Sequence, residues 1–354
     1  MKKQIALFIA LAGQVFANLA YVTDTTTGSV YVINTATNAV TTTVSTTGFA
    51  SFTHTEGVAF APNGKIAYVT NNGRVYVVDT ATNAVIATVS TTGFPSFNTP
   101  FNVAFTPDGT LAYITDETSG FVYVVDTSKN AVIATVSTTG FPSFQTTIGV
   151  AITPNGKFAY VTDTNSHTVY VIDTTLQAVI AIVSGASPSF VTPFGVAITP
   201  NGNVAYVSDQ GTHLVYAINT ATHAVTTTVS NSFTPFNSPR EIAIIPNGNV
   251  AYVTDSFGGT VYAIDTGSNA VIATVSTTGF PSFVNPYGVA LTPNGEVAYV
   301  ADYGSSTVYA IDTGTNKVTA IVSNTVVPFN SPFAIAIAPD SQAPRSFRRP
   351  NNRR

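Results

Sequence analysis

The chain has 354 residues, only 8% of them charged, and a formal net charge of −4. It contains no cysteine, which excludes disulfides, thiolate metal sites and cysteine nucleophiles. Mean hydropathy is +0.28, yet past the N-terminus no apolar run approaches the roughly 20 residues of a spanning helix. A strand-rich protein with no transmembrane span is expected.

Met1-Lys2-Lys3 is a short basic start, Ile5 to Ala12 is apolar, and Val15-Phe16-Ala17 offers small residues where a signal peptidase reads. This is the layout of a secretory leader over residues 1–17, with a core too short for a permanent anchor. The mature chain would begin near Asn18, in the periplasm, at the cell surface or in the medium. No cysteine follows to take a lipid anchor.

From there the sequence repeats. Ala-Tyr-Val or Ala-Tyr-Ile recurs with its tyrosine at Tyr21, Tyr68, Tyr113, Tyr160, Tyr206, Tyr252 and Tyr299. The spacing matches the ~40–50 residues of a four-stranded propeller blade. In one unit, Gly149 to Thr153 is a short apolar run and Pro154-Asn155-Gly156 supplies turn chemistry. Phe158 to Thr162, Val169 to Ile172 and Ala178 to Val183 follow as further β-branched or aromatic runs. No segment has helical period. First strands carry Gly, Ala and Val, as in Gly57-Val58-Ala59 and Gly195-Val196-Ala197, as expected where blades converge on an axis. Fourth strands are Thr-rich, as in Thr41-Thr42-Thr43, which suits a solvated outer edge.

The ends are complementary. The chain opens on an Ala-Tyr-Val strand with no preceding inner strand, and the repeat closes on an inner strand, Phe333 to Ala338, with no followers. Joined, they complete a seventh blade and remove the open edges of a linear array. The expected fold is therefore all-β: a seven-bladed propeller over residues 18–341 with four-stranded antiparallel blades, closed by pairing the N-terminal strands with the C-terminal inner strand.

Tyr-Val-Thr-Asp followed by Val-Tyr-Val-Ile-Asp-Thr and Pro-Asn-Gly resembles the YVTN family of propeller repeats across residues 19–341. That resemblance implies an exported or cell-surface protein. It says little about activity, because the motif residues are those that build the blade. The Trp-Asp signature of WD40 blades is absent, and with no tryptophan the docking motifs of quinone-cofactor propellers are missing; no cofactor is expected.

Strand order puts the second-to-third loops and the long interblade connections on one face, where binding is expected. These connections carry paired aromatics: Phe49 and Phe52, Phe94 and Phe97, Phe141 and Phe144, Phe280 and Phe283. They form either an aromatic rim, with Phe94, Phe141 and Phe280 as candidate contacts, or staples between blades. Recurrent aspartates after the second strand (Asp24, Asp116, Asp163, Asp209, Asp255, Asp302) and at the end of the third (Asp79, Asp126, Asp173, Asp265, Asp312) suit turn capping rather than calcium. His167 and His213 share a loop position in adjacent blades, but no carboxylate–histidine spacing supports a metal site.

The informative breaks lie where inner strands begin. Most repeats place an aromatic or aliphatic residue before Gly, as in Phe194-Gly195 and Tyr287-Gly288; two instead read Glu56-Gly57 and Arg240-Glu241. In so uncharged a chain, Glu56, Arg240, Glu241 and Tyr287 at the channel mouth are candidates for recognising a ligand or partner.

The expected function is a non-catalytic, extracytoplasmic binding or scaffold propeller. Its long-loop face would contact a protein, peptide or glycan of the cell envelope or its surroundings, and the chain is expected to be monomeric. Streptogramin lyases and lactonases also use seven-bladed rings, so an enzyme with its site at the channel mouth is the alternative. Such chemistry needs a general base converging with a metal or an acid, and no motif supplies it. Single-stranded nucleic-acid binding, which a YVTN-like periplasmic propeller suggests, conflicts with the body. Residues 18–341 hold all 17 acidic residues against six basic ones, Lys65, Arg74, Lys129, Lys157, Arg240 and Lys317. Only the tail, with Arg345, Arg348, Arg349, Arg353 and Arg354, could neutralise phosphates. That tail, residues 342–354, is expected to be disordered.

Overall fold

The computed structural model describes residues 19–185 and 187–340; the leader and the Arg-rich tail lie outside the described residues. Seven four-stranded antiparallel sheets form a ring of blades. We number the blades along the chain: blade 1 spans residues 55–88, followed by 100–135, 147–182, 193–228, 239–274 and 286–321. Blade 7 is composite, pairing Pro332–Ile337 with Leu19–Asp24, Ser29–Asn34 and Ala39–Thr43. Each blade's inner strand neighbours the next, and the last returns to the first. No helix among the described residues is long and apolar enough to cross a membrane.

Every residue of the Tyr-Val-Thr-Asp motif has a separate task. The tyrosine is fully buried and reaches across to the next blade: the Tyr21 hydroxyl lies 2.6 Å from the Asn83 side chain and that of Tyr68 2.6 Å from Asn130. The valine joins the apolar layer between blades. The threonine hydroxyl donates to the backbone carbonyl that opens the next inner strand, as Thr162 does to Phe194 (2.6 Å) and Thr254 to Tyr287 (2.6 Å). The aspartate accepts backbone N–H groups from the incoming interblade loop, as Asp116 does from Asn98 (2.7 Å) and Thr99 (3.2 Å), and from Ser119 (3.0 Å) in the following turn. The turn capping expected of these aspartates is present, and each also clamps a long loop.

The glycines of the inner strands are dictated by convergence. A Cβ on Gly57 would lie 2.3 Å from the Phe101 carbonyl oxygen, and one on Gly195 would lie 2.2 Å from that of Arg240. The outer strands are solvated as expected, with Thr41 and Thr42 exposed, and they are also tied to one another. Ser45 pairs in parallel with Ala84 of the next blade, and the same bridge recurs round the ring to Ala39 and Ser323. Blades are therefore joined at the rim as well as at the axis. Ile86, Ile133, Ile180 and Ile272 stand exposed on these strands.

Candidate functional site at the channel mouth

The second residue of each inner strand forms a seven-membered ring at the long-loop mouth of the channel: Glu56, Phe101, Ile148, Phe194, Arg240, Tyr287 and Phe333. Each inner strand begins with a register irregularity, such as that between Pro239 and Ile242. Arg240 and Glu241 lie inside it, and bulges of this kind re-aim side chains. Three of the four mouth residues singled out from sequence come together here: Arg240, Glu241 and Tyr287 line one small chamber.

Arg240 lies over two aromatic rings, its guanidinium carbon 3.8 Å from the Tyr287 ring centre and 4.8 Å from that of Phe194. Such stacking is worth ~0.5–2 kcal/mol and fixes the plane of the fork. Its Nε donates to Ser256 Oγ at 3.0 Å, and among the described residues no acceptor meets its Nη groups. Arg240 and Glu241 do not form an ion pair within 4.0 Å; the described residues hold only His54–Glu56 and Lys129–Asp126 pairs. The local Arg–Glu pairing that would have made these charges mutually satisfied is therefore not formed.

Glu241 accepts no side-chain hydrogen bond from the described residues, and burial pushes its carboxyl up to about 7 against the opposing pull of Arg240. Apart from Asn102, the remaining lining is apolar. Phe101 meets Phe194 at 5.9 Å and Phe333 at 5.8 Å edge-on, Tyr287 contacts Phe333 at 5.0 Å, and Tyr303 stacks behind Tyr287 at 5.2 Å. The chamber measures about 70 Å³, room for a few waters or one small functional group, far below the ~300 Å³ of a site that engulfs a whole ligand.

Glu56 occupies the same ring but does not line the chamber; it is buried in blade 1, within electrostatic reach of Asp116 and Glu117 of blade 2. Its Oε1 lies 3.1 Å from His54 Nε2. The loop aromatics divide into two sets. Phe52, Phe97, Phe144 and Phe283 pack edge-on against Tyr76, Tyr123, Tyr170 and Tyr309 at 4.6 to 4.9 Å; these are staples. Phe94, Phe141 and Phe280 are half-buried against interblade clusters and do not reach the chamber. His167 and His213 are exposed and bond the carbonyls of Val191 and Asn237. Among the described residues no three His, Asp or Glu side chains are grouped to hold a metal ion.

Sequence reasoning missed Phe101 and Phe333 as lining residues, although they share Arg240's register position directly after a proline. It also missed that Glu56 pairs with His54, two residues earlier, and that Asp116 and Glu117 of blade 2 act on it.

The fold and mouth define a seven-bladed propeller whose axial channel ends in a charged, aromatic-walled chamber. A family model described as "Lactonase, 7-bladed beta-propeller" matches residues 50–190 and 191–342; the chain belongs to that family. No curated protein sequence matches it. Among solved structures it resembles Kuenenia stuttgartiensis hydrazine synthase, with 19% identity and a TM-score of 0.68 over 88% of this chain and 99% of that one. It also resembles a functionally unknown protein from Desulfotomaculum acetoxidans, with 16% identity and a TM-score of 0.71 over 91% and 99%. At these identities the likeness is one of fold.

Proposed function

We propose that the chain is an exported binding propeller that takes a carboxylate-bearing group of a protein, peptide or glycan partner at its channel mouth. The observation that carries this reading is Arg240: a guanidinium pre-oriented by Phe194, Tyr287 and Ser256, with its Nη edge unoccupied by protein. A planar fork of this kind matches a carboxylate bidentately. The chamber admits one such group, so the rest of the partner would lie on the long-loop face, whose loops the buried aspartates hold rigid. Export rests on the leader, and the YVTN resemblance supports it.

The test compares N-acetylated peptides ending in a free carboxylate with their amidated forms, alongside uronic-acid oligosaccharides. Mature protein should prefer the acids, and Arg240→Ala should lose at least tenfold for acids while leaving the amides unchanged. Equal binding of acid and amide would end the reading.

Family membership favours a second reading, opening of a lactone ring. Glu241, with its pKa near neutrality, suits a general base that takes a proton from water attacking the lactone carbonyl, and Arg240 would stabilise the carbonyl oxygen as charge develops. A panel of lactones decides this: turnover abolished in Glu241→Gln supports hydrolysis, and no turnover over the panel excludes it.

A further inference from the structure

Glu56 presents a second problem on the same face, independent of Arg240. It is 8% exposed, and its Oε2 is buried without a hydrogen-bond partner. The surroundings are anionic: Asp116, buried at the end of a blade 2 strand, and half-buried Glu117 beside it both oppose its ionisation. Beside it sits His54, with 49% of its side chain exposed.

The histidine has a partner at each ring nitrogen. Its Nδ1 lies 3.0 Å from the carbonyl oxygen of Thr25, which can only accept, and its Nε2 lies 3.1 Å from Glu56 Oε1. Oε1 of Glu56 is thus satisfied by His54. Oε2 remains as an acceptor with no donor, next to two further carboxyl groups. An unpaired buried acceptor costs ~1–3 kcal/mol, and what it lacks is a cationic donor.

We propose that the wall between blades 1 and 2 at the long-loop mouth is a subsite for a primary ammonium group, received by Glu56 Oε2 and Glu117 beneath the His54 imidazole. The absence of any three-ligand grouping among the described residues favours an N–H donor over a metal ion. An ammonium supplies three donors from one point charge. His54, half-exposed and held by the Thr25 carbonyl and Glu56 Oε1, is the side chain that must swing for entry.

The experiment follows the Glu56 carboxyl carbon by NMR in full-length mature protein, titrated in n-butylammonium chloride, tetramethylammonium chloride or sodium chloride at equal ionic strength. A ligand that binds the ionised form lowers the apparent pKa. Butylammonium should lower it by at least one unit, with tetramethylammonium, which lacks N–H donors, and sodium leaving it unchanged. Glu117→Gln should reduce the shift, and His54→Ala should retain it. A matching reporter, the amide resonances of residues 116 and 117, should respond to butylammonium in wild type and not in Glu56→Gln. No difference between butylammonium and tetramethylammonium would overturn the proposal, as would a larger response to calcium chloride.

Discussion

Tyr299 of blade 6 donates its hydroxyl to the side chain of Asn38, 261 residues earlier in the chain and across the seam that closes the ring. The same latch joins Tyr21 to Asn83, Tyr206 to Asn269 and Tyr252 to Asn316. Each asparagine sits at positive φ, 51° for Asn38, a conformation it tolerates better than most residues. Removing the hydroxyl in Tyr299→Phe should cost about 1 kcal/mol. Asn38→Ala should cost roughly 1–2 kcal/mol more, because alanine resists the left-handed backbone as well. Urea denaturation of the two variants measures both values.

Blade 1 carries Asn71 where the other blades have the clamping aspartate, and it still receives the N–H groups of Thr53 (2.9 Å) and His54 (3.0 Å). Asp163, which receives Gln145 (2.7 Å), Thr146 (3.0 Å) and Ser166 (3.0 Å), should therefore tolerate asparagine better than alanine. Asp163→Ala should lose about 2–4 kcal/mol by stranding buried donors. Asp163→Asn should lose less than half of that. Amide exchange at Gln145 and Thr146 should accelerate in the alanine variant.

Burial beside Glu117 and Asp116 raises Glu56 from 4.5 to about 8. The folded state then binds more protons than the unfolded state between those values, so this group's contribution to stability falls as pH rises from about 4.5 to 8 and is level above. Glu56→Gln should flatten that decline and exceed wild type at pH 9 by about 1–3 kcal/mol. Melting temperatures across pH 4 to 9 in sodium chloride provide the check.

Blade 4 replaces the latch asparagine with His223, whose Nδ1 lies 2.7 Å from the Tyr160 hydroxyl. Burial lowers its pKa from 6.5, so the unfolded state takes the proton first and stability is lost as pH falls below about 6.5. Substituting the residue used at the equivalent place in five other blades, His223→Asn, should remove this acid sensitivity and keep the latch. An unaltered pH profile in that variant would show that the contact carries no energy.

A methyl group at Gly195 would meet the Arg240 carbonyl oxygen at 2.2 Å. Gly195→Ala should destabilise by about 1–3 kcal/mol and shift the strand that presents Arg240. Its signature is a loss of carboxylate binding larger than in Gly93→Ala, where no atom lies within 4 Å although the φ of +86° is itself unfavourable to alanine.

The blade count, strand order and composite blade were legible because each depends on period and turn chemistry, which are local. The division of labour within Tyr-Val-Thr-Asp was not, since three of its four contacts cross to other segments through space. At the mouth, a broken repeat was a good guide: Arg240 and Glu241 stood out because, Glu56 apart, their equivalents are uncharged. The aromatic walls around them did not stand out, because Phe101, Phe194 and Phe333 obey the pattern. Glu56 was also found by exception, but its meaning comes from His54 and Glu117, which the repeat does not align with it.

The two ends of the propeller meet where Ala338 N–H donates to the Leu19 carbonyl at 2.8 Å. That junction lies on the short-turn side, opposite the ring of Arg240. Leu19 and Ala338 therefore lie side by side on the face away from Arg240, so a tether joined near either residue would leave the receiving side turned outward and unobstructed.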